Sequence, residues 1–194
     1  IGNNACGPRA LGYGRTADNV VALDVIIGTG ERLRLDSRTD LRTSDSPLLR
    51  GLHQLVQANL GTIRTEFGRF SRQVSGYSLE HLLPEHGFDV ARFLAGTKGT
   101  LAVVTAAEVQ LVPAPRHSLL VALGYGSMAE AADDVAAALA VRPVAVEGLD
   151  ARITAVVARR LGAAAVPALP RGRGWSLVEL AGDDPDDLRE RAGR

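Results

Sequence analysis

The sequence predicts an α+β fold in two parts that meet at Pro113 and Pro115. Three observations carry this. A Gly- and Asn-rich opening without periodicity leads into Val- and Ile-rich β runs. Apolar residues recur at helical spacing after Pro47. Beyond the two prolines, strand-like and helix-like stretches alternate in the order β-α-β-α-β-α, which suggests helices on one face of a sheet.

The opening IGNNACGPRALGYGR contains Gly2, Gly7, Gly12 and Gly14, which permit close backbone approach, and it reads as a structured loop. Asn19 to Leu35 holds two β runs around Gly28-Thr29-Gly30, a hairpin pattern. Arg38 to Ser46 is polar and reads as a surface connection. Pro47 to Leu60 carries Leu48, Leu52, Leu55, Val56 and Leu60 at helical spacing, giving a helix that ends near Gly61. Ser78 to Leu83 is a short helix or turn stopped by Pro84, and Asp89 to Leu94 a second short element. It leads into the compact loop Gly96-Thr97-Lys98-Gly99-Thr100. Leu101 to Val112 is a strand that the prolines terminate.

In the second part, Ser118 to Tyr125, Val144 to Glu147 and Trp175 to Leu180 read as strands. Met128 to Val141 reads as one helix with Met128, Ala132, Val135 and Leu139 on a face, and Ala151 to Leu161 as another. Asp184 is a good N-cap with Pro185 in the first turn, opening a helix that the chain end interrupts.

Composition removes several classes of function. A chain of 194 residues buries roughly 70% of its unfolded surface, and 46% apolar residues suffices for a core, so disorder is excluded as the main state. No apolar run approaches the ~18 residues of a membrane span, and no basic-then-apolar leader is present. The single cysteine excludes a disulfide framework. With 22 basic and 22 acidic residues the chain lacks the electrostatic footprint of a nucleic-acid binder. The expectation is a soluble, cytoplasmic globular piece. The only Met is Met128, so the sequence opens at Ile1 without an initiator, and a longer parent polypeptide is expected.

Familiar motifs fail on inspection. Gly28-Thr29-Gly30 is followed by Leu33 where a dinucleotide fingerprint needs its third Gly, and it lies inside a hairpin. Gly96 to Thr100 lacks the Gly-Lys-Thr order of an NTPase phosphate loop. His53, His81, His86 and His117 show no metal-ligand spacing, and Glu85-His86 reads as a solvated turn. Cys6 has no partner for nucleophilic catalysis and reads as a small buried loop residue. Two Gly-rich loops, each leading into β structure, remain. Their backbone N–H groups suit a pyrophosphate, and the amides of Asn3 and Asn4 suit polar ring or ribityl atoms.

The stretch IGNNACGPRALGYGRTADNV, then a hairpin, then SGYSLEHLL, then GTKGTLAVVTAAEVQLVP, resembles the FAD-binding domain of PCMH/vanillyl-alcohol-oxidase-type flavoproteins. The likeness is strongest to the D-lactate, glycolate and D-2-hydroxyglutarate dehydrogenase branch, and within it to the large bacterial type with an iron–sulfur domain. PVAVEGLDARI and WSLVELAG resemble the start of that branch's FAD-linked oxidase C-terminal domain. The resemblance implies that residues 1–113 are the second part of the FAD-binding domain. Residues 114–194 would then begin a ferredoxin-like substrate domain.

It also implies FAD contacts from Gly2, Asn3, Asn4, Ala5, Cys6 and Gly7, with Tyr13 and Gly14 in the same loop. Gly96, Gly99, Thr100, Val103, Val104 and Thr105 would close over the ribityl or adenine end. Lys98 stands where the family usually has an acid, and Ala102 where it usually has Gly. The implied parent oxidises a small 2-hydroxy acid by hydride transfer to flavin and passes electrons to an acceptor. An iron–sulfur cluster and a divalent metal would lie in other regions. With no catalytic residue or metal ligand assigned in this stretch, and the family's first phosphate loop expected before Ile1, the 194 residues alone are expected to hold FAD weakly. The competing expectation is a flavin-free α+β binding or regulatory module.

Overall fold

The computed structural model describes residues 1–37, 39, 44–70 and 72–194. Most of the expected connection Arg38 to Ser46 thus lies outside the described residues. In chain order the elements begin with α1 (Ala10–Tyr13), α2 (Thr16–Asn19), β1 (Val20–Ile27) and β2 (Arg32–Asp36). There follow α3 (Pro47–Ala58), α4 (Leu60–Glu66), α5 (Val90–Leu94), β3 (Ala102–Val109) and β4 (His117–Tyr125). The last are α6 (Met128–Asp133), α7 (Val135–Ala140), β5 (Ala145–Asp150), α8 (Ala151–Leu161), β6 (Gly174–Gly182) and α9 (Pro185–Ala192). The chain forms two compact units: Ile1–Gly7 with Gly14–Leu111, and Pro8–Tyr13 with Val112–Arg194.

The first unit is built on an antiparallel sheet in the order β2-β1-β3. The hairpin falls where the glycines indicate. Ile27 N–H donates to Glu31 O at 3.0 Å, and Gly30 takes φ 85°, the left-handed residue that closes a three-residue hairpin loop. β3 pairs with the other edge of β1, with Val25 opposite Val104 and Ile27 opposite Ala102. The register shifts between Asp24 and Val25, leaving Thr105 as the extra residue of a bulge. Its hydroxyl donates to Asp24 O at 3.0 Å. The strand is shorter than expected: it ends at Val109, and the last tie, Gln110 N–H to Asn19 O at 2.8 Å, precedes the prolines.

Leu23, Val25 and Leu35 of the sheet bury against Val56 of α3, Ile63 of α4 and Leu82. Burial of each large aliphatic side chain contributes about 1.5–3 kcal/mol. The inward stripe of α3 is Leu49, Leu52 and Val56, whereas Leu48 and Leu55, expected on the buried face, stand about half exposed. The helix ends at Asn59, and Gly61, expected as its stop, lies inside α4. LGTIRTE gives little helical signal: Ile63 is its one fully buried residue, with Leu60 partly buried against the core.

The second unit is an antiparallel sheet in the order β4-β6-β5. Val178 and Leu180 of β6 bury against Ala138 of α7 and Leu188 of α9. The expected single helix Met128 to Val141 is two, broken at Asp134, whose carboxylate accepts the Tyr125 hydroxyl at 2.6 Å. The buried residues of the pair are Ala131 and Ala138; in so Ala-rich a stretch, few large side chains mark the inner face. β5 runs to Asp150, beyond its expected end at Glu147. α9 runs from Pro185 to Ala192, and Gly193 N–H bonds back to Arg189 O and Glu190 O.

The opening stretch, expected as one loop, divides between the units. Pro8–Tyr13 includes the helical turn α1 and joins the second unit, where Gly12 N–H donates to Val144 O at 3.1 Å. A Cβ on Gly12 would meet Val144 at 2.8–2.9 Å. Arg9 clasps Glu179 with two bonds of 2.6 and 3.0 Å.

Candidate functional site

The two glycine loops of the first unit dock on one another, and they do so through backbone. Ile1 O accepts N–H bonds from Asn4 at 2.9 Å and from Gly96 at 3.1 Å. Gly2 O accepts the N–H of Lys98 at 2.9 Å. Gly96 has φ 94°, and a Cβ there would stand 2.9 Å from the Asn4 Cβ, so the approach of the loops requires glycine. Asn4 itself is left-handed, φ 45°, and only 2% exposed. Its Oδ1 accepts the N–H of Ala17, at the start of α2, at 2.8 Å. Thr16 donates both its N–H and its hydroxyl to Ala5 O, at 3.1 and 3.0 Å. The short helix α2 thus serves as a clamp on the first loop.

Three features of this junction suit a ligand. Among the described residues the buried Asn4 Nδ2 has no acceptor, an orphan that ordinarily costs about 1–3 kcal/mol. Among the described residues no acceptor takes the N–H of Asn3, Ala5, Cys6 or Gly99. Lys98, Gly99 and Thr100 form an exposed tip. Free amides next to left-handed turns are anion-binding elements, and a buried carboxamide donor suits a heterocycle carbonyl.

The expected site residues separate as follows. Gly2, Asn3, Asn4, Ala5, Cys6, Gly7, Gly96, Gly99 and Thr100 lie in the two docked loops. Gly14 is in the first unit with φ 77°, beside Asp18. Tyr13 belongs to the second unit. Val103, Val104 and Thr105 lead away along β3; Val103 is exposed and Val104 packs on the core. Cys6, expected to be buried, is partly exposed, and its Sγ accepts Arg72 Nε–H at 3.2 Å.

Two side chains at this junction escaped the sequence reading, Arg72 and Tyr77. Tyr77 lies within the SGYSLEHLL motif, which was the available signal. Its hydroxyl is 2.8 Å from Thr100 Oγ1.

A polar layer backs the first loop. Asp18 accepts the Arg15 N–H, Nε–H and Nη2–H at 2.8 to 3.0 Å. Burial pushes the Asp18 carboxyl up, but these bonds outweigh it and hold the group below its ordinary range. Arg15 also donates to Gln73 O at 3.2 Å. Glu80 and His81 are buried in the turn Leu79–Leu82, and Glu80 Oε2 and His81 Nε2 lack partners among the described residues. Burial holds the His81 imidazole below its ordinary value, against the pull of Glu80. Glu85 is not merely solvated: Arg64 grips its carboxylate at 2.7 and 3.0 Å and holds it down to about 2.

The fold is shared with a larger solved chain, of which it matches one part. The structure superposes on alkyldihydroxyacetonephosphate synthase with a TM-score of 0.56 at 12% identity, covering 100% of this chain and 29% of that one. No family model matches the sequence. In sequence the chain is similar to several 2-hydroxy-acid dehydrogenases. It is 29% identical, over 97% of its length, to D-2-hydroxyglutarate dehydrogenase of Pseudomonas putida. It is 26% identical, over 98%, to D-2-hydroxyglutarate dehydrogenase of Escherichia coli. A D-lactate dehydrogenase of Archaeoglobus fulgidus is 28% identical over 78% of this chain. The chain spans about a fifth of the length of the first two relatives, 20% of each. No described helix is long and apolar enough to cross a membrane.

Proposed function

We propose that this chain is part of an FAD-dependent oxidoreductase that oxidises a small 2-hydroxy acid. Residues 1–113 supply part of the flavin-binding domain. Residues 114–194 supply the first part of a ferredoxin-like substrate domain. The observation that supports this best is the docked pair of glycine loops, with free amides and the unpartnered Asn4 Nδ2 at one junction. The relatives' names point the same way, and the intact glycines weigh against a flavin-free module.

When bound, the flavin supplies the hydride acceptor for the substrate C–H bond. The chain's own part is to bind and orient it. The amides of Asn3, Ala5 and Cys6 take anionic or carbonyl oxygens, and Asn4 Nδ2 reads a ring carbonyl. Gly99 and Thr100 cover the polyol or nucleotide end. An iron–sulfur cluster, a divalent metal and the electron acceptor belong to other parts of the polypeptide or to partners, and the compartment is the cytoplasm, with peripheral membrane association of the whole protein as the alternative.

The test is the visible spectrum of the protein expressed from its complete gene. Flavin absorbance bands that bleach anaerobically on addition of D-2-hydroxyglutarate, D-lactate or glycolate are expected. A colourless protein that takes up no FAD on titration overturns the reading.

A further inference from the structure

Tyr77 lies outside both glycine loops, yet its side chain reaches into the second. Thr100 Oγ1 is 2.6 Å from Thr97 O, and a carbonyl oxygen only accepts, so the single Thr100 proton is committed there. The Tyr77 hydroxyl, 2.8 Å from the same Oγ1, must therefore be the donor. The chain of protons runs one way, from Tyr77 to Thr100 to Thr97 O, which also accepts the Thr100 N–H at 3.0 Å. Thr97 in turn commits its hydroxyl to Leu94 O at 2.9 Å. The Tyr77 ring is set edge-on against Phe93, centroids 6.3 Å apart, and Phe93 is buried in the core.

This polarity decides what the pair recognises. Both outward oxygens have spent their protons and keep only lone pairs. A phosphate oxygen, which also only accepts, finds no donor on these two oxygens. A hydroxyl of a sugar alcohol or ribose is a donor and fits. From this we infer that Tyr77 and Thr100 form a polyol-reading subsite, in which Thr97 O fixes the direction of the Thr100 hydroxyl and so leaves both outward oxygens as acceptors. The inference rests on the flavin reading above and adds that the ribityl or ribose hydroxyls meet this corner, while phosphate meets the amides of the first loop.

The test uses protein expressed from its complete gene, stripped of bound flavin, and reads flavin fluorescence on titration. Riboflavin carries the ribityl hydroxyls; lumiflavin has the same ring without them. Tyr77→Phe keeps the ring against Phe93 and removes only the hydroxyl. It is expected to weaken riboflavin about five- to tenfold, the worth of one net hydrogen bond, and to leave lumiflavin within about twofold. Thr100→Val is expected to show the same selective loss, and Thr100→Ser to restore most of it. Equal losses for riboflavin and lumiflavin, or no loss for either, overturn the subsite while leaving flavin binding intact. If the unsubstituted protein takes up riboflavin, lumiflavin and FAD not at all, the flavin reading falls and the subsite with it.

Discussion

Replacing Gly96 by alanine tests the central contact of the candidate site. Two costs follow from the geometry. The backbone at φ 94° lies where an L side chain is strained, worth about 1–3 kcal/mol. The new methyl would stand 2.9 Å from the Asn4 Cβ. Asn4 cannot yield easily, because its own φ is 45° and its Oδ1 is held by the Ala17 N–H. Overpacking of this kind costs about 1–3 kcal/mol. The sum, about 2–6 kcal/mol, is a large share of the 5–15 kcal/mol typical of a domain. Gly99 is the matched control: φ is 77°, but nothing lies within 4 Å of an added Cβ, so Gly99→Ala bears the strain alone. The two variants should therefore differ by about 1–3 kcal/mol. Native-state hydrogen exchange at the Ala17 amide reads this directly, whereas Trp175, the only Trp, lies in the second unit and reports there. Equal protection in the two variants, within about 0.5 kcal/mol, would falsify the steric argument.

Other perturbations separate the polar layer from the loops. Asp18→Asn leaves Arg15 without its carboxylate and should cost about 1–3 kcal/mol in urea unfolding of the first unit. Because the Asp18 carboxyl is held below its ordinary range, its contribution is present above about pH 4 and is lost as pH falls further, so wild type and D18N should converge in acid. His81 works in the neighbouring window. Its folded-state pKa is lowered by burial, so the unfolded chain binds the extra proton, and stability falls as pH drops below about 6.5. In His81→Leu the melting temperature should lose that slope between pH 7 and pH 5; an unchanged slope refutes the assignment. Lys98→Glu should shift stability by no more than about 0.5 kcal/mol, because the residue holds its place through its backbone N–H and its side chain is exposed.

Most strands were legible because their signal is local. The Val/Ile run of β1 and the Gly30 turn need no distant partner to be recognised. Helices were harder wherever the buried stripe was thin. Leu48 and Leu55 suggested a face of α3 that the structure leaves outside, since Leu49 and Val56, seven residues apart, do the packing. In α6 and α7 the buried residues are alanines, and Asp134, at the break, is bonded by a hydroxyl of β4 that is remote in pattern though not in sequence. No local rule reports such a bond.

The site divides along the same line. Glycine content marked both loops, yet their docking is made by Ile1 O and Gly2 O receiving the amides of Gly96 and Lys98. Backbone acceptors are present at every residue, so sequence alone assigns these no special weight. At Lys98 the position contributes an N–H and a left-handed turn, not a charge. Tyr77 shows the opposite case. Its side chain is chemically distinctive, but its role depends on which of two hydroxyls owns the shared proton, and that is decided by Thr97 O, three residues before Thr100. Side-chain identity becomes function here only once the carbonyl geometry has fixed the direction of the hydrogen bonds.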